Sequence, residues 1–382
     1  MGYQRRLNMD LPQGQSAFLW GARQTGKSTF LRQRFPNSFY IDLLNSDNLL
    51  SLSARPARLG EILTQKAPEI LKRPIIIDEI QKVPSLLDEV HRLIESCGFS
   101  FILCGSSARR MRRAGVNLLG GRAWRFDLFP LNWNEVPEFD LLRALNRGML
   151  PSIYDQPRFG RSLKAYVQDY LTEEIFNDAT TRNAPTFVRF FDCLRFCHGE
   201  LLNYTSISRE CAIDAKTVKV YFDILQDSLV GYRIFPFHRS SGRQSITAAP
   251  KFFLFDVGVA SHICGRSLTN EYGPEFGRAF EHFILLELIA ARGYREQDYS
   301  IEFWRTKSGL EVDFILGGGE VAIEVKTRVR HGDLRAIRAF ADEFSPSAAF
   351  VVTAEQDRRR IDDIDILPYT DFLRLLHDGN VI

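Results

Sequence analysis

The sequence has no apolar run near the roughly 18 residues a helix needs to cross a bilayer, so no membrane contact is expected. The opening segment MGYQRRLNMD lacks the apolar core of a secretory leader, and Arg6 stands where a myristoylation signal needs Ser or Thr. A cytoplasmic setting is therefore the expectation. Charge of one sign is also missing: 49 Lys and Arg oppose 47 Asp and Glu, for a net +2. That excludes a polycation, so any contact with nucleic acid must come from local patches. Cysteine is sparse, at six, with no paired CxxC, and reads as reduced thiols. Cys193, Cys197 and His198 lie close together, but metal-ligand spacing on both sides is absent and they read as one face of an apolar helix. Internal repeats and low-complexity tracts are absent as well.

What is present is ordinary globular usage, 45% hydrophobic and 25% charged, in 382 residues. That length suits two or three domains of about 100–200 residues each. Short apolar runs at Ser16–Trp20, Phe39–Leu43, Pro74–Asp78, Ser100–Cys104 and Trp124–Leu128 alternate with amphipathic segments such as Leu86–Cys97. This is the pattern of a parallel sheet covered by helices. A helical stretch from Leu141 to about Asn177 follows, broken at Pro151 and Pro157. Phe187–Cys197, Tyr204–Cys211 and Ala215–Asp227 read as three short helices, the last capped by Asp214. Strands at Val230–Phe237 and Lys251–Asp256 complete the order of a winged helix-turn-helix. The final segment reads as a helix (Glu275–Arg292), strands at Ile301–Thr306, Glu311–Leu316 and Val321–Lys326, a helix (Leu334–Phe344) and a strand (Ala348–Thr353).

Gly21-Ala22-Arg23-Gln24-Thr25-Gly26-Lys27-Ser28, running on into Thr29, is a complete G-x-x-x-x-G-K-S phosphate loop between a strand and a helix. Its backbone N–H groups and the helix N-terminus suit an anion. Lys27 is expected to reach the β- and γ-phosphates and Ser28 to ligate Mg²⁺. Ile75-Ile76-Ile77 then make a buried strand that delivers Asp78 to support the metal and Glu79 to polarise the attacking water. ATP and Mg²⁺ are the implied ligands. Ser106, after the next strand, is a candidate for placing that water, with a plain Gly-Ser turn as the competing reading. Six arginines and no acid lie between Arg109 and Arg125. Arg122 is the first candidate for a finger stabilising phosphoryl charge, with Arg109 and Arg110 next; the competing reading is a solvated basic face. A finger acting in trans would require a homo-oligomer.

Two further clusters carry chemistry. Arg209, Lys216, Thr217, Lys219, Arg239 and Arg243, with Lys251 flanking the wing, suit phosphate and groove contact with DNA. Glu324 and Lys326 share one face of a strand, with Asp313 on its hairpin partner and Glu281 on the leading helix. Two carboxylates and a lysine on one face could hold Mg²⁺ for phosphodiester cleavage; the competing reading is an inactive fold whose charges pair.

GARQTGKST, IIIDEIQKVPSLL, LCGSSARRM, LLGGRAWRFDLFPL, GMLPSIY and VDFILGGGEVAIEVK together resemble a prokaryotic AAA+ ATPase family whose C-terminal half is the DUF4143 domain. The resemblance spans nearly the whole chain and implies an α/β protein. Its P-loop NTPase domain would occupy 1–130, a helical lid 131–185, a winged helix 186–265 and a domain similar to PD-(D/E)XK nucleases 266–382. It also implies ring-like, possible hexamer-type oligomers and a role in DNA transactions. Cys104 departs from the pattern, standing where a polar residue would precede Gly105-Ser106. The leading expectation is an ATPase that couples nucleotide state to DNA binding or remodelling. The alternatives are an ATP-gated nuclease and a signalling or scaffold switch that ignores DNA.

Overall fold

The computed structural model describes residues 2–106, 119–171, 184–238 and 249–382. It divides into two compact units, one of residues 1–131 with 227–230, the other of 132–226 with 231–382. The segments expected as 131–185, 186–265 and 266–382 thus lie almost wholly in one unit. Among the described residues, no helix is long and apolar enough to cross a membrane.

In the first unit, β1 (Ser16–Trp20), β2 (Tyr40–Asp42), β3 (Ile75–Asp78), β4 (Phe101–Gly105) and β5 (Ala123–Asp127) form one sheet in the order β2-β3-β4-β1-β5. Every pairing is parallel. β1, β3 and β4 are buried along their whole length, which is why they read as continuous apolar runs rather than alternating ones. Between the strands run α1 (Lys27–Arg34), α2 (Ser46–Ala54), α3 (Arg58–Thr64), α4 (Pro68–Leu71) and α5 (Leu86–Cys97). α5 buries Leu86, Leu87, Val90 and Leu93 along one stripe, and its polar face is solvated. These side chains pack with Ile75, Ile77, Phe101 and Leu103 into one core.

In the second unit, α6 (Leu141–Arg147) and α7 (Phe159–Ala165) lead to α8 (Ala184–Cys197), α9 (Tyr204–Cys211) and α10 (Ala215–Asp227). Asp214 does cap α10, accepting from the Thr217 N–H at 2.9 Å. β6 (Gly231–Pro236) and β7 (Lys251–Leu254) pair antiparallel, but β6 also pairs in parallel with β8 (Ile301–Arg305). The expected wing therefore continues into the sheet of the C-terminal segment, with β9 (Glu311–Leu316), β10 (Val321–Lys326), β11 (Ala348–Thr353), β12 (Arg359–Ile361) and β13 (Ile364–Pro368). The order is β12-β13-β11-β10-β9-β8-β6-β7. α12 (Pro274–Tyr294), α13 (Arg335–Phe344) and α14 (Tyr369–Asp378) belong to the same unit.

Three expectations need correction. The strand at Lys251 ends at Leu254, because Asp256 turns the chain into α11 (Val257–Ile263) as its N-cap. Cys193 and Cys211 are joined between α8 and α9, with Cα atoms 6.5 Å apart, so not all six thiols are free. Lys251 is not a wing residue open to solvent: its side chain is 7% exposed and ion-paired with Glu281 and Glu311.

Asp256 also explains the GMLPSIY segment. Its carboxylate is fully buried and accepts from Val259 N–H at 2.9 Å and Met149 N–H at 2.7 Å. Gly148 has φ +80°, and a Cβ there would come within 2.1 Å of Asp256 Oδ1. Asp256→Ala removes a helix cap and leaves a buried N–H without a partner, so it should lower unfolding free energy by roughly 2–4 kcal/mol. Urea denaturation measures this. A loss below about 1 kcal/mol would mean that other groups readily take over both bonds.

Candidate nucleotide site and acid–lysine cluster

The phosphate loop leaves the C-terminal end of β1 and enters α1 at Gly26, whose φ of +91° requires glycine. Thr25 Oγ1 donates to Ala22 O at 2.9 Å, and the Arg5 guanidinium donates to Thr25 O and, at 2.6 Å, to Phe129 O. The loop is thus braced from inside and outside. Gly21 and Ala22 are buried, Gln24 and Thr29 are exposed, and the half-buried Arg23 exerts its charge on Glu79. Lys27 is 6% exposed as a residue, and its ammonium donates to Gly21 O at 2.7 Å and Ala22 O at 3.0 Å. It is a buried cation resting on its own loop, where an arriving phosphate would offer stronger acceptors.

Ser28 Oγ donates to Asp78 Oδ2 at 2.6 Å. The Tyr40 hydroxyl donates to the same oxygen, and the Glu79 N–H donates to Asp78 Oδ1 at 3.0 Å. Burial and the hydrogen bond to Asp78 push the Tyr40 hydroxyl far above its ordinary pKa. A serine hydroxyl beside a carboxylate is a hard-oxygen donor set that fits Mg²⁺. Cys104 lies opposite Asp78 across the β3–β4 register, its buried thiol pushed well up by desolvation and then by Asp78.

Glu79 sits in the left-handed region at φ +60°. Burial raises its carboxyl above the usual range, and Lys27 partly offsets that. The buried amide of Gln81 donates to Glu79 Oε2 and to Ser106 Oγ at 3.1 Å. Ser106 is therefore joined to Glu79 through Gln81. Arg122 is elsewhere. It precedes β5, whose Ala123 pairs with Ser16 at the start of β1, while the loop leaves the far end of β1. A strand of 5 residues spans about 16 Å, too far for Arg122 to reach the phosphate loop of its own chain. Arg122 instead pairs with Glu95. Arg109 and Arg110 lie outside the described residues. Sequence reasoning missed Tyr40, Arg5 and Gln81; only Gln81 carried a signal, inside DEIQ.

In the second unit the four residues expected for a nuclease-like site do gather. Lys326 pairs with Glu324, and Val325 N–H donates to Asp313 Oδ2 at 2.7 Å. Lys251 adds a second cation, 3.1 Å from Glu281 Oε1 and 2.5 Å from Glu311 Oε1. Burial and the neighbouring carboxylates push Glu281 up to about 7 and Glu324 up to about 8; burial also raises Asp313. Among the described residues no group of three or more His, Cys, Asp or Glu has the geometry of a metal cage. Two lysines, Lys251 and Lys326, pair with these acids.

Of the expected DNA contacts, Arg209, Lys216 and Lys219 are exposed, and the Thr217 hydroxyl is engaged by Asp214. Arg239 and Arg243 lie outside the described residues. Cys193, Cys197 and His198 are buried, with His198 Nδ1 accepting from Leu254 N–H at 3.3 Å.

The strand order, with β4 between the loop strand β1 and the acidic strand β3, and the site at their C-terminal ends define a P-loop nucleotide-binding domain. Residues 13–137 match the family model of an AAA domain, 138–270 that of a domain of unknown function (DUF8612), and 276–372 that of a domain of unknown function (DUF4143). The chain thus carries an AAA-domain match at its N-terminal end and a DUF4143 match at its C-terminal end. An uncharacterized protein of Mycobacterium tuberculosis is 24% identical over 395 residues, covering 98% of this chain and 84% of that protein. An uncharacterized protein of Mycobacterium bovis matches to the same extent. One of Methanocaldococcus jannaschii is 24% identical over 358 residues, covering 82% of this chain and 75% of its own length.

The acid cluster predicts a pH dependence. Folded Glu281 and Glu324 keep protons that the unfolded chain, whose glutamates titrate near 4.5, has already released. Their stabilising effect is complete below that value and is lost as pH rises through about 7 and 8. In EDTA, Tm should fall between pH 6.5 and 8.5, and the Glu281→Gln, Glu324→Gln double variant should show a much flatter profile. A flat profile in the parent protein would show that these carboxyls ionise freely.

Proposed function

We propose that this chain hydrolyses ATP with Mg²⁺ and couples the nucleotide's state to engagement of DNA by its second unit. The observation that carries the ATP reading is the contact of Ser28 with Asp78 beside a buried Lys27 and a Glu79 held by Gln81. Bound Mg²⁺ would neutralise phosphate charge at Ser28 and Asp78. Lys27 would exchange the Gly21 and Ala22 carbonyls for phosphate oxygens. Glu79, its carboxyl raised by burial, would take the proton of the attacking water. Gln81 and Ser106 keep that carboxylate from turning away. Arg122, remote from its own loop, supports a reading in which it serves a neighbouring subunit in a homo-oligomeric ring.

Lys27→Ala should abolish turnover with Tm unchanged, and Glu79→Gln should retain ATP binding while hydrolysis slows by about 10²–10⁴-fold. Steady-state hydrolysis and nucleotide binding separate the two; an unaltered rate in Lys27→Ala would overturn the assignment.

The DNA reading is supported by exposed Arg209, Lys216 and Lys219 on α9 and α10. Duplex DNA should stimulate hydrolysis, and the stimulation should fade with salt. Lys216→Ala with Lys219→Ala should reduce the salt slope of DNA binding by about 0.9 per lost phosphate contact. A rate indifferent to DNA would favour a switch governed by a protein partner.

A further inference from the structure

A pocket of about 180 Å³ opens in the second unit, beside the acid–lysine cluster but distinct from the nucleotide site. Its walls come from the turn after α8 at His198–Leu201, from β7, from α12 and from Arg305 and Glu311 of the β8–β9 hairpin. Four cations line it, Lys251, Arg266, Arg278 and Arg305, against three carboxylates, Glu200, Glu281 and Glu311. Most of these charges already have partners. Lys251 lies between Glu281 and Glu311, Arg305 is 3.4 Å from Glu311, and Arg278 is 2.8 Å from Glu275.

Arg266 is different. Its side chain is 6% exposed, and its one ion pair among the described residues places Nε 2.8 Å from Glu275 Oε2 without the alignment of a hydrogen bond. Its Nη1 is buried and has no hydrogen-bond partner among the described residues. A guanidinium is a fixed fork of donors that cannot shed its charge, so an open, desolvated nitrogen is costly unless an acceptor arrives. Arg266 lines the pocket, so an acceptor bound there would lie beside its guanidinium. The pocket's volume equals that of about six waters at ~30 Å³ each, which suits a tetrahedral oxyanion and not a whole nucleotide. Arg278 and Arg305, each about half exposed, stand at the mouth where further oxygens of the same anion would lie.

We propose that this pocket binds a phosphate group, with Arg266 as its buried anchor and Arg278 and Arg305 at its rim. A carboxylate presents two oxygens in one plane, whereas a phosphate presents several in a tetrahedral array, enough to serve Arg266 and both rim arginines at once. The pocket requires neither ATP hydrolysis nor winged-helix contact with DNA. A phosphate held here could be free, at the end of a strand, or within one.

The test uses the full chain carrying Lys27→Ala, so that the phosphate loop does not dominate binding, in EDTA. Three probes are titrated: inorganic phosphate, a short 3′-labelled single strand with a 5′-phosphate, and the same strand with a 5′-hydroxyl. Saturable phosphate binding that weakens tenfold or more in Arg266→Gln is the expected result. A 5′-phosphate strand that binds more tightly than its 5′-hydroxyl twin, with the preference lost in Arg266→Gln, assigns the pocket to strand ends. Equal binding of both strands, weakened alike by the variant, assigns it to internal phosphates, and binding of phosphate alone assigns it to the free ion. Should Arg266→Gln not fold, Arg278→Gln together with Arg305→Gln provides the same reading. Absence of saturable phosphate binding, or binding untouched by these variants, would overturn the proposal.

Discussion

The first unit depends on Asp78, a carboxylate held with almost no solvent at the end of a central strand. Three isoleucines bury β3 on both faces, so the chain can place a charge only where the strand ends. There Ser28, Tyr40 and the Glu79 N–H converge on its two oxygens, and Cys104 approaches from the neighbouring strand. Each partner comes from a different element: the helix after the phosphate loop, β2, the turn after β3, and β4. One carboxylate therefore registers four parts of the sheet against one another. The same need for compensation explains why the site's donors are clustered so tightly, since a buried charge without several hydrogen bonds would be protonated or expelled.

Much of this was legible in the sequence because fully buried parallel strands announce themselves as short apolar runs. Helix α5 was equally plain, its apolar residues recurring on one stripe and ending at Gly98, which closes the helix in the left-handed region. Tyr40 was not legible, because nothing in a tyrosine inside an apolar run says which neighbour its hydroxyl meets. Arg5 was hidden for the same reason: its partners are the carbonyls of Thr25 and Phe129, and carbonyls leave no mark in a sequence. Arg122 shows the converse limit. Its basic neighbourhood suggested proximity to phosphate, yet parallel pairing puts the start of β5 beside the start of β1, at the end of the sheet away from the loop.

The second unit was harder to divide because segments of different apparent type share one sheet. The ribbon expected as a wing joins β8 through β6, and that pairing has no sequence signature, being set by two residues of parallel register. Lys251 illustrates the consequence. A lysine at the base of a wing reads as a solvent-facing contact for nucleic acid. Once β7 is part of the larger sheet, the same lysine lies under Glu281 and Glu311 and is nearly buried.

That placement changes what the cluster of acids and lysines means. Glu281, Asp313 and Glu324 are too close and too dry to ionise together unaided, which is why burial and neighbouring carboxylates raise all three. Lys251 and Lys326 supply two positive charges from fixed positions on β7 and β10. The lysines thus offset part of the carboxylates' charge within the chain itself. Glu324 Oε2, buried and without a hydrogen-bond partner among the described residues, is a point at which this compensation is incomplete. The same incompleteness recurs with opposite sign at Arg266. Among the described residues, Glu324 Oε2, Arg266 Nη1 and Arg338 Nε are buried atoms of ionisable side chains with no hydrogen-bond partner within the chain, and such groups call for a partner that water, an ion or a ligand can supply.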